Sequence, residues 1–149
     1  MYEFEKVNQY SEEAIEIAQR LIVITKISAI NFKTLHRNLK GGNWFTIHEK
    51  LNEYYSMFDA FEDRLIENLM GLGIEDKSIK DSMDLILDVK PYEEKEAMII
   101  AKNMLLTELA ELENTRNALE IPSKIASVFD EIENYLHLEA DYKIAQYLE

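Results

Sequence analysis

The stretch NWFTIHEKLNEYYSMFDAFEDRLIENLM, residues Asn43 to Met70, decides the fold. It contains no Gly or Pro, and its large apolar residues Ile47, Leu51, Tyr54, Phe58, Phe61, Leu65 and Leu69 return every three or four positions, with Leu72 continuing the series. That period defines one long amphipathic helix. At roughly 100° per residue with His48 at zero, Asn52 falls near 40°, Asp63 near 60° and Glu67 near 100°, while the apolar residues gather around 220–300°. The apolar face must meet the subunit's own core. The stripe of His48, Asn52, Asp63 and Glu67 therefore looks away from it.

Around this helix the chain reads as one all-α domain spanning residues 1–149. Only 4 Gly and 2 Pro punctuate it, which favours long uninterrupted helices. A first helix is expected over Ser11–Asn38, with Glu12 and Glu13 in its first turn, ended by Lys40-Gly41-Gly42. Asn43 suits the N-cap of the second helix, and Gly71 and Gly73 suit its end. A long connection with a short helix near Ile79–Asp88 follows. A third helix is expected from Pro91, as first helical residue, to Leu119, and a fourth from about Pro122 almost to the C-terminus. Four long helices with the long connection between the second and third make a four-helix bundle with a crossover.

Cysteine is absent, which excludes disulfides, thiolate metal sites and cysteine nucleophiles. The start MYEFEKVNQY lacks the basic segment and apolar run of a signal peptide, and no apolar run approaches the roughly 20 residues that span a bilayer, so a cytoplasmic protein without a membrane partner is expected. The net charge of −13 opposes non-specific nucleic-acid binding, which needs Lys and Arg against phosphates, and suits attraction of cations as well as simple solubility.

Along a straight helix His48 and Asp63 lie roughly 22 Å apart, too far to share an ion within one chain. The positions are symmetric, however: a two-fold axis near residues 57 and 58 sets His48 opposite Glu67 of a second copy, and Asn52 opposite Asp63. Isologous dimers have this geometry, so the spacing predicts two equivalent intersubunit sites. The first helix has two apolar sides: Tyr10, Ile17, Leu21, Ile24 and Leu35 on one, and Ala18, Ile22, Thr25 and Ala29 with His36 on the other. Its own bundle and a partner subunit are expected to cover them, with His36 joining His48. Imidazole with carboxylates is the ligand mix of iron, zinc or manganese. Periodicity by itself leaves a solvated charged face as the competing reading.

The run His36-Arg37-Asn38-Leu39-Lys40-Gly41-Gly42-Asn43-Trp44-Phe45-Thr46-Ile47-His48, and the run Asp63-Arg64-Leu65-Ile66-Glu67 followed by Gly71 and Gly73, resemble the two signatures of the Dps mini-ferritins. The resemblance covers most of the chain. It implies a ferritin-like bundle with a short extra helix in the crossover, assembled from two-fold dimers into a hollow dodecamer with intersubunit metal sites. It also implies oxidation of ferrous iron, preferably by hydrogen peroxide (or dioxygen), and storage of the ferric product, which protects against oxidative stress. His36, His48, Asp63 and Glu67 are then the catalytic ligands, with Asn52 a weak fifth, and zinc or manganese could occupy the same residues.

Three positions depart from the family pattern. Asn52 stands where a carboxylate is usual, Arg37 where an aromatic is usual, with Trp44 as the nearby substitute, and Asn68 where an Arg is usual. Loss of charge at Asn52 makes a cage or interaction protein with weakened or lost ferroxidase activity the alternative. A nucleoid-binding role is a more remote one, because the Lys-rich tail of many family members is represented only by Lys6, between Glu3 and Glu5 and the first helix. Acidic iron-entry pores in the family bring in Glu120 and Asp130, although Ser123 and Lys124 dilute the acidity and surface ion pairing explains the same charges.

Glu108 lies on the apolar stripe of the third helix with Ala97, Ala101, Met104, Leu105 and Leu112, where it is a ligand, a proton relay, or an edge residue bonded to a Tyr or Lys. His137 follows Glu133 by four residues, but no Glu-x-x-His occurs anywhere, which argues against an intrachain di-iron centre. Tyr54, Tyr55 and Tyr135 read as core and interface.

Overall fold

The computed structural model describes residues 10–149; Glu3, Glu5 and Lys6 lie outside the described residues. Helix α1 covers Glu12–Arg37 and α2 covers Trp44–Gly71. A 3-10 turn at Lys80–Leu85 sits in the crossover. Helix α3 covers Glu94–Leu119 and α4 covers Ser123–His137, which continues through a π-helical turn at Leu138–Lys143 into a last turn, α5, at Ile144–Leu148. Two dipeptides, β1 at Leu39–Lys40 and β2 at Tyr92–Glu93, pair in parallel, Leu39 with Tyr92 and Lys40 with Glu93. The architecture is the expected four-helix bundle with a short helical turn in the crossover.

Local chemistry accounts for the ends. Ser11 caps α1 by accepting from the Ala14 amide at 3.1 Å, and Glu12 and Glu13 complement the helix dipole. At the end of α2, Gly73 takes φ 92°, which costs glycine little, and the Gly73 and Ile74 amides bond back to Met70 and Leu69. The apolar face of α2 is the predicted one: Ile47, Leu51, Tyr54, Phe58, Phe61, Leu65 and Leu69 are all buried, and Leu72 with them. They meet Phe32, Leu21 and Leu35 of α1, with Leu105 and Leu112 of α3 and Phe129 and Leu136 of α4 completing one continuous core. Each fully buried Leu or Phe contributes about 1.5–3 kcal/mol relative to exposure.

Two expectations are corrected. The second apolar side of α1 is not left for a partner: Ala18, Ile22, Thr25 and Ala29 are buried within the single chain, because α1 packs against both α2 and α3. Pro91 does not start the third helix. It precedes β2, whose pairing with β1 holds the backbone extended for two more residues, and Glu93 occupies the N-cap position of α3. Helix four runs almost to the C-terminus as expected, and its C-terminal portion widens into the π turn around Glu139.

Candidate metal-binding site

His36 lies in the last turn of α1 and His48 in the second turn of α2. The short connector folds these termini together. The two imidazoles stack, with centroids 3.9 Å apart and planes at 25°. Trp44, one helical turn before His48, stacks on its other face at 4.0 Å and 17°, and Tyr55 tilts against His36 at 5.1 Å. Trp44 thus belongs to the site as a packing surface for an imidazole.

Each histidine also bonds to the other's backbone: His36 Nδ1 lies 3.2 Å from the His48 carbonyl oxygen, and His48 Nδ1 lies 3.1 Å from that of His36. A carbonyl can only accept, so both Nδ1 atoms carry the proton and both Nε2 atoms keep a free lone pair. Metal-ligating histidines typically have their other nitrogen fixed in this way. Burial pushes the His36 imidazole below the ordinary range, aided by the neighbouring charges of His48 and Arg37 and opposed by its bond to the His48 backbone. That favours the neutral form a metal needs.

Asn52, Asp63 and Glu67 lie on the exposed side of α2, away from the core. The structure brings His36 and His48 together but does not bring the carboxylates to them within one chain. Among the described residues, no three His, Asp or Glu side chains converge to hold a metal ion in the monomer.

Other candidate residues have internal partners. Asp130 accepts from Arg116 at 2.7 Å and Glu133 from the same guanidinium at 3.2 Å, while Glu120, exposed, ends α3 in the left-handed region at φ 48°. His137 pairs with Asp141 at 2.8 Å rather than with Glu133. Glu108 is buried, but its partner is Thr25, at 2.5 Å, not a Tyr or Lys. The Thr25 hydroxyl also points at the Leu21 carbonyl, 2.8 Å away. The single Thr25 hydroxyl proton is shared between these two acceptors, so its bond to Glu108 is a weak counterweight to burial. Burial, reinforced by Glu111 and opposed by Thr25, pushes Glu108 up to about 8, which agrees with a neutral acid.

Sequence reading missed a further buried carboxylate, Glu139, in the π turn. It accepts from Lys50 and Lys143 at 2.8 Å each and from Tyr54 at 2.9 Å, while Tyr135 donates to Glu53 at 2.6 Å beside it. Burial alone would raise Glu139, but the bonds from Lys143, Lys50 and Tyr54 outweigh it and hold the carboxyl below its usual range. The only local signal was Lys143 four residues after Glu139.

A four-helix bundle with a crossover between its second and third helices, carrying paired histidines at an α1–α2 corner, is a ferritin-like arrangement. Its solved likenesses are consistent: antigen TpF1 from Treponema pallidum superposes with a TM-score of 0.78 at 18% identity over 93% of this chain and 96% of that one. A Dps protein from Bacillus brevis gives 0.78 at 21% identity over 93% and 96%, and Dps from Staphylococcus aureus gives 0.76 at 15% over 94% and 97%. The fold is that of a Dps-type mini-ferritin, in a divergent sequence. The "DNA protection during starvation protein" of Listeria innocua is 27% identical over 63 residues, 42% of this chain, and the match spans only 40% of that relative's length. No family model matches the sequence.

Proposed function

We propose that the chain is an iron-oxidising, iron-storing mini-ferritin acting in the cytoplasm, with iron as its substrate and cargo. The observation that carries this reading is the reciprocal histidine lock, which leaves the Nε2 atoms of His36 and His48 without a bond to the backbone, while Asn52, Asp63 and Glu67 are exposed farther along α2. In an isologous dimer those nitrogens meet Asp63 and Glu67 of a second copy, and Asn52 adds a neutral amide oxygen. Zinc or manganese fits the same donors. Twelve subunits enclosing a mineral cavity is the assembly the family resemblance implies. Two ferrous ions each give one electron to one peroxide; with two waters the products are two FeO(OH) and four protons. Consuming iron and peroxide together limits hydroxyl-radical formation.

The reading is tested by adding ferrous iron anaerobically to the purified protein, then peroxide, and following ferric absorbance. Fast, protein-dependent oxidation leaving soluble ferric iron is expected. A trace no faster than buffer, or precipitated iron, rejects it. Asn52 favours a second reading, a cage with weakened oxidation chemistry, because an amide brings no charge to the ion. Asn52→Asp then raises the rate substantially, whereas an unchanged rate removes that reading. Binding to DNA is not part of the proposal: the chain's charge of −13 repels phosphate. Among the described residues no helix is long and apolar enough to cross a membrane.

A further inference from the structure

The histidine pair depends on how two helix ends are held together: Asn38 closes the end of α1 through two bonds to the Thr34 carbonyl, but the start of α2 has no side-chain cap of its own. Asn43 occupies the N-cap position of α2, yet its side chain makes no capping bond. The Asn43 amide instead donates to Glu94 Oε2, 3.0 Å away and 51 residues later, in the first turn of α3. The connector from His36 to His48 thus closes over the Glu94 side chain. Gly41 sits directly against it with φ 141°, and a Cβ built at Gly41 would overlap the Glu94 side-chain carbons. Just before Glu94, the Tyr92 amide donates to the Asn38 carbonyl at 2.9 Å, which anchors the other end of the same connector. A carboxylate at this place satisfies a free helical N–H and faces the positive end of the α2 dipole.

We propose that Glu94 is a positioning residue for the histidine pair: by capping α2 from α3 it sets the placement of α2 against the end of α1, and hence the stacking of Trp44, His48 and His36. Its consequence for metal binding rests on the reading of that pair as a ligand site; its consequence for the stack does not. The His48 ring is fixed both by a bond to the His36 backbone and by Trp44. A shift of the first turn of α2 disturbs both at once. Gly41 belongs to the same device, since any side chain there competes with Glu94 for space.

Trp44 is the only tryptophan, so its emission and near-ultraviolet circular dichroism report the stack with no metal present. The experiment compares the assembled wild-type protein with Glu94→Ala, Glu94→Gln and, as a control in the same turn, Glu96→Ala, whose Lys90 contact is long at 3.8 Å and exposed. Each is also titrated with zinc, which binds without redox chemistry. The expected result is a red-shifted, more symmetric Trp44 signal and about tenfold weaker zinc binding in Glu94→Ala, the scale of lost supporting partners at metal sites. Glu94→Gln, which retains an acceptor oxygen, restores most of both, and Glu96→Ala leaves both at wild type. A wild-type Trp44 signature in Glu94→Ala overturns the proposal, as does an equal change in Glu96→Ala. If wild-type protein binds no zinc while the Trp44 signature still follows Glu94, the metal reading fails and the positioning role stands.

Discussion

Of the three buried carboxylates among the described residues, Glu108 and Glu139 solve the same problem in opposite ways. Glu108, on the α3 side of α1, is fully buried with one hydroxyl partner, and its Oε1 has none. It is held neutral. Glu139, where the C-terminal helix meets α2, is 1% exposed but receives three donors, two of them cationic, and is held charged. Burial acts on both; the number of donors decides the outcome. The α1–α3 seam thus carries an acid that costs stability once it ionises, and the α2–α4 seam an anion that costs stability once it loses a partner.

The largest expected effect breaks this contrast from the Glu108 side. Its folded pKa, about 8, lies above the unfolded value of 4.5. Below pH 4.5 both states hold the proton and stability is full. As pH rises the unfolded chain releases its proton first, and stability falls until Glu108 ionises near pH 8, by about 5 kcal/mol in all. Glu108→Gln removes that slope and is the more stable protein at pH 8. Urea midpoints from pH 5 to 9 measure it, and parallel profiles for the two proteins would refute the neutral-acid assignment.

Next comes Lys50→Met, which leaves Glu139 with Lys143 and Tyr54. Because Lys50 is 27% exposed, part of its attraction is screened, and a loss of about 2 kcal/mol is expected rather than the full penalty of an unpaired buried charge. The sign of the pH dependence is opposite here. Glu139 is depressed, so its contribution is present above the ordinary carboxylate range and lost as pH falls through the folded value. Lys50→Met shifts that acid loss to higher pH, and thermal melts between pH 3 and 6 measure the shift. No shift would mean that Lys143 and Tyr54 alone hold the anion.

The smallest stability effect belongs to the residues assigned the chemistry. Asp63 and Glu67 are exposed, and the double change Asp63→Ala with Glu67→Ala costs under about 0.5 kcal/mol in subunit stability while abolishing fast iron oxidation. Calorimetry beside the ferric absorbance assay separates the two. Equal oxidation rates would remove these carboxylates from the site.

The same contrast explains what was legible in the sequence. The α2 face was readable residue by residue because a period of 3.6 records burial directly. Glu108 was conspicuous because a carboxylate interrupts an apolar stripe. Glu139 was not, because its partners Lys50 and Tyr54 lie more than 80 residues away and it sits in a π turn, outside the 3.6-residue period. The two apolar sides of α1 were visible, but whether a neighbouring helix or a second subunit covers them is not written in the helix itself. The Leu39–Tyr92 pairing escaped for a similar reason: two residues per strand leave no alternation to detect. The histidine spacing was legible, whereas the lock that fixes the tautomer depends on backbone carbonyls, and these carry no sequence signal.

That short parallel pairing bears on how the molecule responds to being cut. The 3-10 turn of the crossover contains no buried residue, so it is open to proteases. A single nick there divides the chain into two helical hairpins, α1 with α2 and α3 with α4. They share the core seam between α1 and α3, the Leu39–Tyr92 link and the bond from the Asn43 amide to Glu94. The nicked protein is therefore expected to migrate as one species under native conditions and as two fragments in denaturant, which makes the two hairpins candidates for reassembly from separately expressed halves.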